Sequence, residues 1–281
     1  MADCFFATDL HGQIDHYEKL LDLISTETPQ AVFLGGDLLP HGLTLDQSDF
    51  TCDFLVPKFT QLRRFLGEHY PRLFLIFGND DPRCEERFLA EADSEGLWSY
   101  VHLRKVAFDS HPVYGCAYVP PTPFRLKDWE RYDVSRYVDP GCVSPEEGTY
   151  TVETDRRAIM WETIQDDISQ LVGRDSLEHA IFLFHSPPYD TPLDRAALDG
   201  RIHENVPLDV HVGSIAIRRF IETHQPLLTL HGHVHESTRL TGIWKSQIGR
   251  TVCIKGAHDG PELSVVRFNP NLLDQASRQL I

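Results

Sequence analysis

The 281-residue chain, 41% hydrophobic and 24% charged, is long enough to bury a sizeable core and too apolar for wholesale disorder. Its formal net charge of −16 argues against broad electrostatic binding to anionic membrane or to extended nucleic acid. No apolar run reaches the roughly 18–20 residues of a membrane span, and the start, Met1 to Phe6, lacks the basic and extended apolar regions of a signal peptide.

In chain order, Cys4 to Thr8 reads as a short apolar strand. Ile14, Tyr17, Leu20, Leu21 and Ile24 then fall at helical spacing. Ala31 to Leu34 predicts a second buried strand, Phe50 to Tyr70 a helix broken near Pro57, and Leu73 to Phe77 a third strand. A helix from about Pro82 to Ala92 follows, proline being well placed near a helix start. Repeated β-α-β predicts a parallel sheet with helices on its faces.

Shorter strands are expected at Tyr100 to Leu103 and Val113 to Tyr118. Residues 120–150 show no clean period and are long for a connection, which suggests a lid. Asp155 to Val172 reads as one helix, Ala180 to Phe184 and Pro226 to Leu230 as buried strands, and Ser214 to Thr223 as a helix. Residues 186–210 form a second irregular excursion, and Thr251 to Ile254 and Leu263 to Phe268 alternate like antiparallel strands. With no repeat or linker, one domain over 1–281 is expected. The six cysteines form no Cys-x-x-Cys pair and read as mostly buried, reduced thiols of a cytoplasmic protein.

Five segments carry the chemistry: Asp9-Leu10-His11, Gly35-Gly36-Asp37, Gly78-Asn79-Asp80, His185 and Gly232-His233-Val234-His235. Each follows a strand-like run, where ligands collect in an open α/β sheet. Period two on an extended backbone would point Asp9 and His11 to one side, and likewise His233 and His235. The set mixes oxygen and nitrogen donors without thiolate, which suits Mn, Fe or Zn in a catalytic site.

The ordered set Asp-x-His, Gly-Asp, Gly-Asn, lone His and Gly-His-x-His resembles the calcineurin-like metallophosphoesterase superfamily over essentially the whole chain. His185-Ser186-Pro187-Pro188 resembles its small prokaryotic-type, phosphodiesterase-like members. The resemblance implies an α/β fold, a four-layer α-β-β-α sandwich of two mixed sheets flanked by helices, with two metal ions at the strand ends. Asp9, His11 and His235 would hold one ion, Asn79, His185 and His233 the other, and Asp37 both. His231 falls outside the Gly-His-x-His frame and is left to packing or support.

The implied reaction is hydrolysis of a small phosphate ester, preferably a phosphodiester, by direct attack of a hydroxide bridging the two metals, without a phosphoenzyme. A nucleotide is among the candidate substrates. Alternatives are a phosphomonoesterase or nucleotide pyrophosphohydrolase on the same site, or a non-catalytic interaction scaffold of the same fold.

Where many members have Gly-Asn-His, this chain has Asn79 followed by Asp80 and Asp81. Asp80 therefore stands where an imidazole would protonate the leaving group; it either orients neighbours, positions substrate, acts as an acid, or caps the next helix in competition with Asp81. His41 and His258 follow probable strand ends and are candidates for the pocket wall. Phe124, Arg125, Trp129, Arg131, Tyr132 and Tyr137 either form a lid that stacks a base and pairs phosphate, or simply pack. Tyr189, Asp190 and Arg195 are further candidate substrate contacts.

Overall fold

The computed structural model describes residues 4–41 and 49–281; residues 1–3, part of the N-terminal reading above, lie outside it. In chain order the elements are β1 (Cys4–Ala7), α1 (Ile14–Glu27), β2 (Ala31–Gly35), α2 (Val56–Leu66), β3 (Arg72–Ile76), α3 (Glu86–Ser94), β4 (Ser99–Tyr100), β5 (Lys105–Val106) and β6 (Val113–Cys116). There follow α4 (Arg156–Trp161), α5 (Ile164–Val172), β7 (Ile181–Phe184), β8 (Ile202–His203), β9 (Val206–Pro207), α6 (Ile215–His224) and β10 (Leu228–His231). The remainder is α7 (Ser237–Thr241), β11 (Lys245–Ile248), β12 (Thr251–Lys255), β13 (Ser264–Phe268) and β14 (Ser277–Leu280).

Continuous apolar runs such as Cys4–Ala7 and Ile181–Phe184 are buried along their whole length, as strands covered on both faces must be. They form two six-stranded mixed sheets, ordered β14-β13-β1-β2-β3-β4 and β11-β12-β10-β7-β6-β5. The sheets meet through β2 and β3 of one and β6 and β7 of the other. Helices cover the outer faces: Phe220 of α6 packs on Phe182 and Phe184 of β7, and Trp98 ties to α3 through its indole N–H, which donates to the Leu89 carbonyl at 2.9 Å. The expected sandwich of two mixed sheets flanked by helices is the observed fold.

β1, β2 and β3 are mutually parallel, as are β7 and β10. Their carboxyl ends release the five chemical segments, in order Asp9, Asp37, Asn79, His185 and His233.

Several elements differ from the sequence reading. Pro57 does not break its helix; it sits in the first turn of α2, where its missing N–H costs no helical bond, and a widened turn at Thr51–Leu55 leads in. The helix expected from Asp155 to Val172 is two, because the Thr163 hydroxyl accepts the Asp166 N–H and starts α5 afresh. The two tail strands lie in different sheets: β13 is antiparallel to its neighbours β1 and β14, as expected, whereas β12 is antiparallel to β11 on one side but parallel to β10 on the other. None of the six cysteines, all among the described residues, is in a disulfide; Cys4, Cys116 and Cys253 are buried, but Cys52 is exposed.

Residues 120–150 are pinned by a fully buried ion pair between Lys127 and Glu130. Residues 186–210 are drawn in by Asp194, a buried carboxylate that accepts the N–H groups of Asp190, Thr191 and Gly213 at 2.9–3.1 Å.

Candidate metal centre

The loops that follow β1 and β2 are stitched together by backbone bonds: Asp9 N–H to the Gly36 carbonyl, His11 N–H to Asp37, and Gly12 N–H to Leu38, all at 2.8–2.9 Å. They are not extended. Asp9, His11, Asp37 and His233 have φ of 56°, 44°, 50° and 74°, in the left-handed region. The expected period-two presentation is thus replaced by tight turns, whose strain is of order 1–3 kcal/mol per residue and persists only where surroundings impose it. Gly36, at φ 96°, has no room for a side chain, since a Cβ would lie 2.7 Å from both His185 Nδ1 and the Phe77 carbonyl.

These turns gather donor atoms of Asp9, His11, Asp37 and His235 within 4.8 Å of one another. His235 Nε2 lies 3.1 Å from Asp9 Oδ1 and 3.2 Å from His11 Nε2, and the His233 backbone N–H donates to Asp9 Oδ1 at 2.9 Å. Behind them, His185 Nε2 lies 3.2 Å from Asp37 Oδ2 and 3.1 Å from Asn79 Oδ1, while its Nδ1 meets the Gly35 carbonyl at 2.8 Å. His233 is adjacent, its ring centroid 5.2 Å from that of His185. All seven expected ligands therefore share one edge of the sandwich, four of them in a tight cluster.

The electrostatics follow from burial opposed by close charge. Burial disfavours the anion at Asp9, yet His235, His185 and His11 together hold its carboxyl well below the ordinary range. Asp37, equally buried, is brought down to about 2 by His185. Burial likewise opposes charge on His185, but Asp37 pushes its imidazole up to about 9. His233 is held at about 3 by burial and by the neighbouring His185. Asp80 is pushed up to about 6 by burial and by the charge of Asp37.

The residues fit a metal ion. Asp9 Oδ2 and His11 Nδ1 are buried without a hydrogen-bond partner among the described residues, a state that buried polar groups seldom tolerate. Carboxylate, imidazole and amide donors are those a catalytic transition-metal site uses.

Neither Asp80 nor Asp81 caps the following helix. Asp81 instead accepts N–H groups from Leu38, Leu39 and Gly78 at 2.8–3.1 Å, bracing the loops after β2 and β3 together. The Asp80 N–H donates to Asp37 Oδ1 at 2.9 Å. His231 is fully buried between the Ser186 carbonyl and the Thr229 hydroxyl, at 2.9 and 2.8 Å.

A cleft of about 200 Å³ opens on Asp9, His11 and His235, with His41 and His258 both in its wall. Among the described residues, none of the six lid candidates lines it. Trp129 is fully buried and donates its indole N–H to the Asp81 carbonyl at 2.8 Å, and Arg131 is spent on Asp167 and Tyr118 at 2.8–3.1 Å. Phe124 and Tyr137 face solvent. Tyr189 and Arg195 pair with Asp209 and Asp199.

Sequence reasoning missed Lys255. It is fully buried, and its Nζ donates to the Leu193 and Gly232 carbonyls at 2.8 and 2.9 Å, anchoring the turn that carries His233 and His235. A lysine closing the apolar run Thr251–Ile254 was the available signal.

A model of the calcineurin-like phosphoesterase family matches residues 5–237. No curated protein matches the chain significantly. Among solved structures, a protein of Thermus thermophilus is 16% identical with a TM-score of 0.57, covering 100% of this chain and 99% of its own. A dimetal phosphatase from Danio rerio is 11% identical with a TM-score of 0.52, covering 100% of this chain and 96% of its own. At such identities the likeness is one of fold, and the family assignment rests on the match across most of the chain. The chain belongs to the calcineurin-like phosphoesterase family and is a metal-dependent phosphoesterase.

Proposed function

We propose that the protein hydrolyses a small phosphodiester with two metal ions, one held by Asp9, His11 and His235, the other by Asn79, His185 and His233, with Asp37 shared. The observation that carries this reading is the convergence of Asp9, His11, Asp37 and His235 donors within 4.8 Å. Mn, Fe or Zn suits the mixed donor set. When bound, the ions supply an activated water and offset the charge that builds on the phosphoryl oxygens.

The chain's own part is to hold the donors still. His185 Nδ1–H donates to the Gly35 carbonyl, which leaves Nε2 directed at Asn79 and Asp37. The Asp80 N–H occupies one oxygen of Asp37 and so orients the other. Lys255 fixes the Gly232 carbonyl and with it the turn before His233.

The diester preference rests on the likeness of the His185-Ser186-Pro187-Pro188 segment to phosphodiesterase-like members. The same reading takes 1–281 as one domain, because a buried cluster of the described residues runs from Cys4 to Leu273, and as a cytoplasmic protein, because none of the six cysteines is in a disulfide.

Simple diesters, cyclic nucleotides, dinucleotides and monoesters assayed with Mn²⁺ provide the test. Diester turnover is expected. Turnover of monoesters alone would replace the diester reading, and pure protein unable to hold two transition metals by elemental analysis would favour the scaffold.

A further inference from the structure

The loops after β2 and β3 bring one more imidazole to the open side of the site. His41 stacks on His11, with ring centroids 4.0 Å apart and planes 20° from parallel. Its Nδ1 lies 3.0 Å from Asp80 Oδ2, and Asp80 is oriented in turn by the Asn79 amide, which donates to Oδ1 at 3.1 Å. The ring is therefore held on one face by His11 and on one edge by Asp80, while its side chain stays 64% exposed in the wall of the cleft.

The other cleft histidines outside the ligand set are engaged. His16 Nε2 meets the Pro261 carbonyl at 3.0 Å, and His258 Nε2 meets Glu262 at 3.0 Å. His41 Nε2 makes no such bond among the described residues.

Hydrolysis of a phosphoester leaves an electron pair on the departing oxygen, and an alkoxide needs a proton as it leaves. We propose that His41 supplies it. Its Nε2–H hydrogen-bonds the leaving-group oxygen and passes the proton as the P–O bond breaks, with Asp80 holding Nδ1–H so that Nε2 faces the cleft. The attacking water places its oxygen on phosphorus and releases a proton that restores His41 through solvent. One water is added across the P–O bond, and no other reactant is consumed. Asp80 is the positioning residue in this arrangement, and His41 the catalytic one. The inference rests on the phosphoester reading above.

The test compares two diesters that share a phosphoryl side but differ in leaving group, one an alkoxide and one a p-nitrophenolate that departs without a proton. His41→Ala, in metal-loaded protein, is expected to lose about a hundredfold or more in kcat on the alkyl ester and little on the nitrophenyl ester. Metal content by elemental analysis and affinity for inorganic phosphate by calorimetry should stay at wild-type values. Equal losses on both esters, or a fall in metal content, would overturn the assignment and leave His41 as a support for His11. Wild-type protein that holds two metals yet cleaves neither ester would instead overturn the phosphodiester reading itself.

Discussion

The two sides of the candidate centre are built on opposite terms. At the back, His185 is fully buried and both ring nitrogens are engaged, Nδ1 with the Gly35 carbonyl at 2.8 Å and Nε2 with Asn79 and Asp37 at 3.1 and 3.2 Å. Because His185 follows β7 and Gly35 ends β2, these bonds also tie one sheet to the other. At the front, Asp9 Oδ2 and His11 Nδ1 are buried without a hydrogen-bond partner among the described residues, the nearest carboxylate oxygen to His11 Nδ1 being Asp80 Oδ2 at 3.8 Å, and His235 is partly open to the cleft. His185 at the back has both ring nitrogens engaged by the protein, whereas the front is only partly satisfied. Asp9 Oδ1 is bonded to His235 and to the His233 N–H, but Asp9 Oδ2 and His11 Nδ1 are left as donor atoms without a hydrogen bond among the described residues. One imidazole type thus serves structure on one side and ligand capacity on the other, according to what surrounds it.

The sharpest way to break this picture is at the residue both sides share. Asp37→Ala should lower turnover about a thousandfold, the several kcal/mol that metal-assisted charge stabilisation supplies, and should lower metal content as well. Near-normal turnover would refute its shared role.

Removing one imidazole from each side then tests the contrast directly in metal-free protein. His185→Ala leaves a buried carboxylate without its partner and should cost about 3 kcal/mol in urea unfolding. His235→Ala, where water can enter, should cost about 1 kcal/mol. Equal costs would mean that the two sides are not differently built.

Metal loading reads the same contrast from the other direction. Ions at a hundred times their Kd should stabilise the protein by about 2.7 kcal/mol, a gain reversed by chelator. His235→Ala should lose most of that gain, as followed by thermal unfolding with and without metal. The smallest effect belongs to the former lid candidates: Phe124→Ala should change stability by about 0.5 kcal/mol or less and leave kcat unaltered.

Much of the fold was legible because buried parallel strands announce themselves as short apolar runs. Cys4–Ala7, Ala31–Gly35, Arg72–Ile76, Ile181–Phe184 and Leu228–His231 all lie where those runs predicted strands, to within a residue or two. Partner choice was not legible. Thr251–Lys255 and Ser264–Phe268 look alike as text, yet one lies parallel beside β10 and the other antiparallel beside β1. Alternation encodes which face a residue takes, and says nothing about which strand lies alongside. Trp129 illustrates the same limit for side chains. An aromatic in an irregular stretch could have stacked on substrate, but its indole is buried against Phe77, His102 and Tyr118.

By itself the sequence determined the chemistry: which carboxylates, amide and imidazoles lie at strand ends, and that they make an oxygen–nitrogen donor set. Those properties are local, carried by residue type and by the apolar run before each segment. Tertiary structure alone decided how the donors converge, through left-handed turns at Asp9, His11, Asp37 and His233 in place of extended presentation. It alone brought His41 onto His11 and Lys255 under Gly232. These contacts join loops and strands far apart in the chain, and their geometry is set by the packing of two sheets rather than by any residue's neighbours in sequence.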